Sequence, residues 1–226
     1  MPLNRTLAAL SFLAAAIVLV MVAAILATGF FSQEFFELGP SPGLVADQLR
    51  DQPLHALGLR LNLGLDNFFI VVYSAFFVLL AVRLRTLLSP VTIAVALAAL
   101  LLTALLDAIE NHHILLMLHD FQHGAAISAE ELQWQMVASN LKFHASYVGA
   151  FLFAFGFYRL GGLGYVIAFL LWFGYVPLGM ITFVVPVDIV VPFALARTVF
   201  FVLVFALGGI YFLRDKETPA AVAAAP

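Results

Sequence analysis

Long apolar stretches constrain this chain more than any other feature. Six runs, at roughly 7–30, 61–82, 90–118, 137–158, 163–185 and 189–213, each exceed 20 residues. A hydrocarbon layer about 30 Å thick is crossed by about 20 apolar residues of helix, so each run is long enough to span a bilayer. The expected fold class is therefore an all-α integral membrane protein, a six-transmembrane-helix bundle forming a single domain over residues 1–216. The tail 217–226 is expected to be disordered.

Composition supports this reading: 64% of the residues are hydrophobic, 10% are charged and the mean hydropathy is +1.09. A soluble domain carries about 25% charged residues, so there is too little polar surface here to cover a water-soluble globule. The net charge of −3 and the lack of a basic stripe exclude a nucleic-acid footprint. With no cysteine, thiolate metal sites and cysteine nucleophiles are excluded. The first run, preceded by Arg5, is 24 residues long and exceeds the apolar core of a secretion signal, about 7–15 residues, so it is expected to stay as an anchor.

Charge in the connections sets the expected orientation. Arg5, Arg83, Arg85, Arg159, Arg214 and Lys216 fall on one side if six spans are threaded in order. The positive-inside rule makes that side cytoplasmic, with both termini on it, as in a bacterial inner membrane. Glu34, Glu37, Asp47, Asp51, Asp120, Glu130, Glu131 and Asp188 fall on the other side, against Arg50 and Arg60. The two long outer connections, about 31–60 and 119–136, are the natural place for function. The first contains Gly39-Pro40-Ser41-Pro42-Gly43 and then a segment able to lie amphipathically on the surface. Local signals fix other boundaries: Ser89-Pro90 reads as an N-cap with proline at the first helical position, and Ser128 with Glu131 as a capping box. Gly161-Gly162 marks a tight turn.

Asp66, Asp107, Lys142 and Arg197 interrupt the apolar runs. Measured to Arg83, Pro90, Arg159 and Arg214 respectively, each lies 17 residues from the inner end of its helix. At about 1.5 Å per residue that is about 25 Å, one common plane in the outer third of the bilayer. Two acids and two bases make the plane formally neutral, which suits a pair of Asp–cation contacts in a medium where lone charges are costly. Asp107, Glu110 and Asn111 share one face of the third helix with Thr103. Asn62, Asp66 and Tyr73 form a matching stripe on the second, and the two stripes are expected to face each other. On the fourth helix Lys142 and Ser146 share a face roughly opposite His144. Lys142 is assigned to the layer and His144 to an adjacent crevice.

Three functions fit these residues. Asp66, Asp107, Glu110, Asn111, Lys142 and Arg197 suit a polar pocket for a small cationic or amphiphilic ligand. Asp107, Glu110, Lys142 and His144 are candidate catalytic groups for acid–base or metal chemistry on an outer-leaflet lipid. The third option is a structural or assembly subunit whose charges only pair its own helices. A divalent metal is a possible cofactor: His119 and His123 are spaced i, i+4 and His113 lies nearby. An axial haem pair would need His113 and His144, which differ in depth by about two helical turns. Trp134 and Tyr147 at the outer boundary and Tyr158 and Tyr165 at the inner one read as interfacial aromatics. Gly149, Gly156, Gly174 and Gly179 are expected at close helix contacts, and Pro177 and Pro186 as kinks in the fifth helix. Partners are expected to be membrane lipids and a small ligand, with oligomer formation possible.

Overall fold

The computed structural model describes residues 2–29, 33–37, 39–51, 54–184 and 187–215, without the side chains of residues 34, 187–191 and 194. Pro186, residue 185, Phe30 and the tail 217–226 lie outside the described residues. Among the described residues all regular structure is helical. In chain order the helices are α1 (Leu3–Thr28), the four-residue α2 (Glu34–Glu37), α3 (Pro42–Asp51), α4 (His55–Leu84) and α5 (Pro90–Gln122). After these come α6 (Ala129–Leu160), α7 (Leu163–Phe169), a π-helical segment (Leu170–Tyr175), α8 (Val176–Ile181) and α9 (Val187–Arg214).

Five stretches are long and apolar enough to cross a membrane: Leu3–Thr28, His55–Leu84, Pro90–Gln122, Leu163–Ile181 and Leu195–Arg214. Such apolarity on every face, with Val71 65% and Phe173 67% exposed, belongs to a chain whose solvent is lipid. α6 is as long as its neighbours, but Gln135, Asn140, Lys142 and His144 lower the hydropathy of its first half.

Helices α4, α5 and α6 run beyond the expected spans. They begin or end at His55, Gln122 and Ala129 rather than at 61, 118 and 137. The extensions follow their own amphipathic pattern outside the hydrocarbon run. Together with the adjoining turns of the spans they bury Leu59, Leu63, Ile114, Met117 and Leu132 against Phe36 of α2 and Val45 and Leu49 of α3. The connection between α1 and α4 is thus an apolar-backed cap, its polar residues Asp47, Arg50 and Asp51 turned out. His55 ties the cap to α1, its ring nitrogens 2.8 Å from the Gln48 carbonyl and 3.1 Å from that of Gly29.

The helix ends follow their local chemistry. The Ser89 hydroxyl accepts from the Thr92 amide at 3.1 Å with Pro90 behind it, and Ser128 accepts from the Glu131 amide at 3.3 Å. The Glu131 side chain does not complete a capping box, because it pairs with His113 on the adjacent α5. Gly161 and Gly162, at φ +75° and +56°, make the α6–α7 turn in a region where a Cβ is strained. Pro177 has no amide for the preceding turn, and the wider π-helical turn just before it accommodates the break.

The long helices pack in a closed ring. α1 lies between α9 and α4, α4 meets α5, α5 meets α6, α6 meets α7 and α8, and these with the π segment meet α9. The α5–α6 pair is the most extensive. A Cβ on Gly149 would stand 2.4 Å from Leu100 Cγ and 3.0 Å from the Ala96 carbonyl, so only glycine permits that approach. Gly156 against Leu84, Gly174 against Phe200 and Gly179 against Tyr147 make similar contacts. At the end of the ring opposite the cap, Asn4 of α1 donates to the backbone carbonyl and carboxylate of Asp215 at 3.0 and 3.1 Å. Arg83 at the end of α4 binds the same carboxylate at 2.8 Å.

Candidate functional site

The ring encloses a cavity of about 190 Å³. Asp66, Asp107, Lys142 and Arg197 all line it at the capped end, so the common depth counted along four helices brings four side chains to one space. From that level an aromatic wall descends: Tyr73, Phe76 and Phe77 on α4, Phe153 and Phe157 on α6, Phe201 and Phe205 on α9. Asp66 to Leu80, both lining, is 14 residues of helix, so the cavity runs about 21 Å along the ring axis.

The pairing of charges differs from two Asp–cation contacts. Lys142 Nζ lies 2.9 Å from Asp107 Oδ1 and 2.5 Å from Glu110 Oε2, so one ammonium serves two carboxylates. Tyr73 donates its hydroxyl to the other Asp107 oxygen at 3.0 Å, and Gln135 donates to Glu110 Oε1 at 3.3 Å. Arg197 pairs with Glu37 of the cap at 3.2 Å rather than with Asp66 or Asp107, and its guanidinium lies 3.8 Å from the centre of the Phe143 ring. Phe36, 1% exposed, anchors α2 so that Glu37 points back into the bundle. Asp66 has a single hydrogen-bond donor among the described residues, Asn111 Nδ2 at 2.7 Å, and no cation within ion-pair distance. The two polar stripes of α4 and α5 do face each other, through Tyr73–Asp107 and Asn111–Asp66.

The remaining expected residues separate from this group. His144 is exposed on the outward face of α6, donating to the Asn140 carbonyl at 2.8 Å with its ring 4.5 Å from Phe183, so it does not line the cavity. The reason is rotational: Lys142 turns inward, and two residues on the helix has turned the opposite face to lipid. His113 pairs with Glu131, while His119 and His123 stack at 4.1 Å in the exposed turn. Among the described residues no three His, Cys, Asp or Glu side chains converge as a metal set. Tyr147 is not an interfacial residue: it is 1% exposed, packed on Gly179 and 5.4 Å from the Tyr175 ring. Gly179 leaves the gap that draws the ring inward. Trp134, Tyr158 and Tyr165 are exposed as expected.

Several participants were not singled out from sequence. Gln135 and Ser139 continue the Lys142–Ser146 face at i, i+4, i+7 and i+11, a spacing visible in the chain. Tyr175, 3.1 Å from the Ser146 hydroxyl, sits in the π-helical segment, where a 3.6-residue period gives the wrong face. Glu37 carries no span signal at all. Buried polar atoms of Asn62, Asn111, Gln135 and Ser139 have no partner among the described residues, which leaves hydrogen-bonding capacity beside the charged level.

Comparison of the chain with protein-family models, with curated proteins and with solved structures finds no match to any of them.

Proposed function

We propose that this chain is a six-span protein of a bacterial-type inner membrane, both termini cytoplasmic, that binds an amphiphilic small molecule in the cavity at the centre of its helix ring. The observation that carries the reading is the polarity gradient of that cavity. Charged groups gather at one end, and about 21 Å of mainly aromatic and aliphatic wall leads away from them. A ligand with a polar head and an apolar chain matches both halves at once. The contact of Asn4 with Asp215 supports the span count, because α1 starts where α9 ends and an even number of crossings is required. α6 is then the crossing that returns the chain from its 123–128 turn to the Arg159 end. The basic residues at that end support its cytoplasmic placement.

The test is bound amphiphile in purified protein. Protein in lipid nanodiscs is expected to hold an amphiphile at about one per chain by native mass spectrometry. Ala150→Trp, which fills the middle of the cavity, should lose it. Equal amounts on both proteins, or none on either, would overturn the reading. For Lys142, Asp107 and Glu110 a second role is favoured by one observation: the ammonium is already paired with two carboxylates. That triad fixes α5 against α6 whatever occupies the cavity.

A further inference from the structure

The charges around the cavity do not balance. Lys142 is taken up by Asp107 and Glu110, and Arg197 by Glu37 and the face of Phe143. Among the described residues four acidic side chains thus stand against two cations, and Asp66 is the one left with only an amide donor. Asp66 is 4% exposed and lines the cavity. A buried acid facing a cavity in hydrocarbon surroundings is costly to ionise, and its carboxylate form is stabilised when a positive charge meets it.

The walls beside Asp66 suit one kind of positive charge. Phe69 and Tyr73 follow it on α4, with ring centres 4.9 Å apart, and Phe201 approaches Phe69 from α9 at 5.7 Å. Aromatic faces together with a carboxylate recognise organic ammonium groups, whose spread charge is drawn to the ring quadrupole. The protein already uses this contact internally where Arg197 lies over Phe143. An anionic head would find both cations engaged and would meet Asp66, Asp107 and Glu37 at close range. For a bare metal ion, no three His, Cys, Asp or Glu side chains gather among the described residues as a ligand set.

We infer that the cavity takes a cationic amphiphile, an alkylammonium whose head sits on Asp66 between Tyr73, Phe69 and Phe201 and whose chain follows the apolar wall. This rests on the amphiphile reading above and adds the sign and class of the head group.

The experiment compares three probes with one chain: decylammonium, decanol and decanoate. Each is titrated calorimetrically into the protein in zwitterionic nanodiscs, with empty nanodiscs subtracted. Decylammonium is expected to bind at least about tenfold tighter than decanol, with decanoate weakest. Asp66→Asn should bring decylammonium to within about threefold of decanol, and Asp66→Glu should keep the preference. If Asp66→Asn does not fold, the ranking in the wild type still decides. Equal binding of decylammonium and decanol, both removed by Ala150→Trp, would overturn this inference and leave the amphiphile reading in place. Decanoate binding tightest would overturn it and move the head to Arg197. No saturable binding of any probe would overturn both.

Discussion

Replacing Lys142 with methionine removes the one cation that two buried carboxylates share. Lys142, Asp107 and Glu110 have side chains 6%, 8% and 0% exposed, so neither acid can turn to solvent. Breaking a buried pair by deleting one partner costs about 3–5 kcal/mol. Two acids are stranded here, but each keeps a neutral donor, Tyr73 or Gln135, and a hydrogen bond to a charged group contributes about 1.5–3 kcal/mol. The loss is therefore expected to stay near 3–5 kcal/mol rather than double, a change of about 10²–10⁴ in the unfolding equilibrium. Lys142→Met with Asp107→Asn and Glu110→Gln keeps both acceptors and removes the stranded charge, so it should recover to within about 1–2 kcal/mol of the wild type. The exchange Asp107→Lys with Lys142→Asp should not recover, because Glu110 would face a second carboxylate and the Tyr73 hydroxyl an ammonium. Equilibrium unfolding in mixed micelles, followed by circular dichroism, measures all three. A Lys142→Met loss below about 1 kcal/mol would refute the picture of a dehydrated triad.

Other expectations follow from close contacts and unpartnered groups. Gly164→Ala places a Cβ 2.3 Å from the Phe157 carbonyl, backbone that has nowhere to go, and should cost about 1–3 kcal/mol or more in the same assay. Gly64→Ala, with nothing within 4 Å, should be neutral or stabilise by up to about 1 kcal/mol; equal costs for the two would contradict the packing described. Asn62→Leu should leave stability unchanged within about 1 kcal/mol, since neither polar atom of Asn62 has a partner among the described residues; a larger loss would reveal a partner there. Glu37→Gln weakens the contact that holds the cap to Arg197. With no native cysteine, Ser146→Cys labelling by a membrane-impermeant maleimide should then become several-fold faster, and an unchanged rate would show that the cap is held elsewhere. In whole cells Asp47→Cys should label from outside and Arg85→Cys only after permeabilisation; the reverse pattern would invert the proposed topology.

Five of the six apolar runs coincide with helices long and apolar enough to cross a membrane, because bilayer thickness imposes a length on such runs, and the common level of Asp66, Asp107, Lys142 and Arg197 was legible because helical rise converts counting into depth. The sequence did not expose which helices are neighbours. These helices are apolar on most faces, so little in their pattern marks the inward side, and α5 shows its inner face only where Asp107, Glu110 and Asn111 interrupt it. The partner of Arg197 was hidden for another reason. Glu37 sits in a connection, where hydropathy says nothing of depth, and only the burial of Phe36 beside it turns the carboxylate inward. Tyr147 misled because aromatics near a boundary usually face the interface, whereas here the missing side chain of Gly179 opens a berth for it.

Closure of the ring by α9 against α1 also orders events during synthesis. Asp107 and Lys142 are 35 residues apart on one hairpin, so the lysine can enter the membrane already paired with a carboxylate. Glu37 must wait for Arg197, 160 residues later, which at about 5–20 residues per second is a delay of roughly 8–32 s. Through that interval the nascent bundle is a trough with an unlatched cap, and its central chamber comes into being only when the last helix seats against the first.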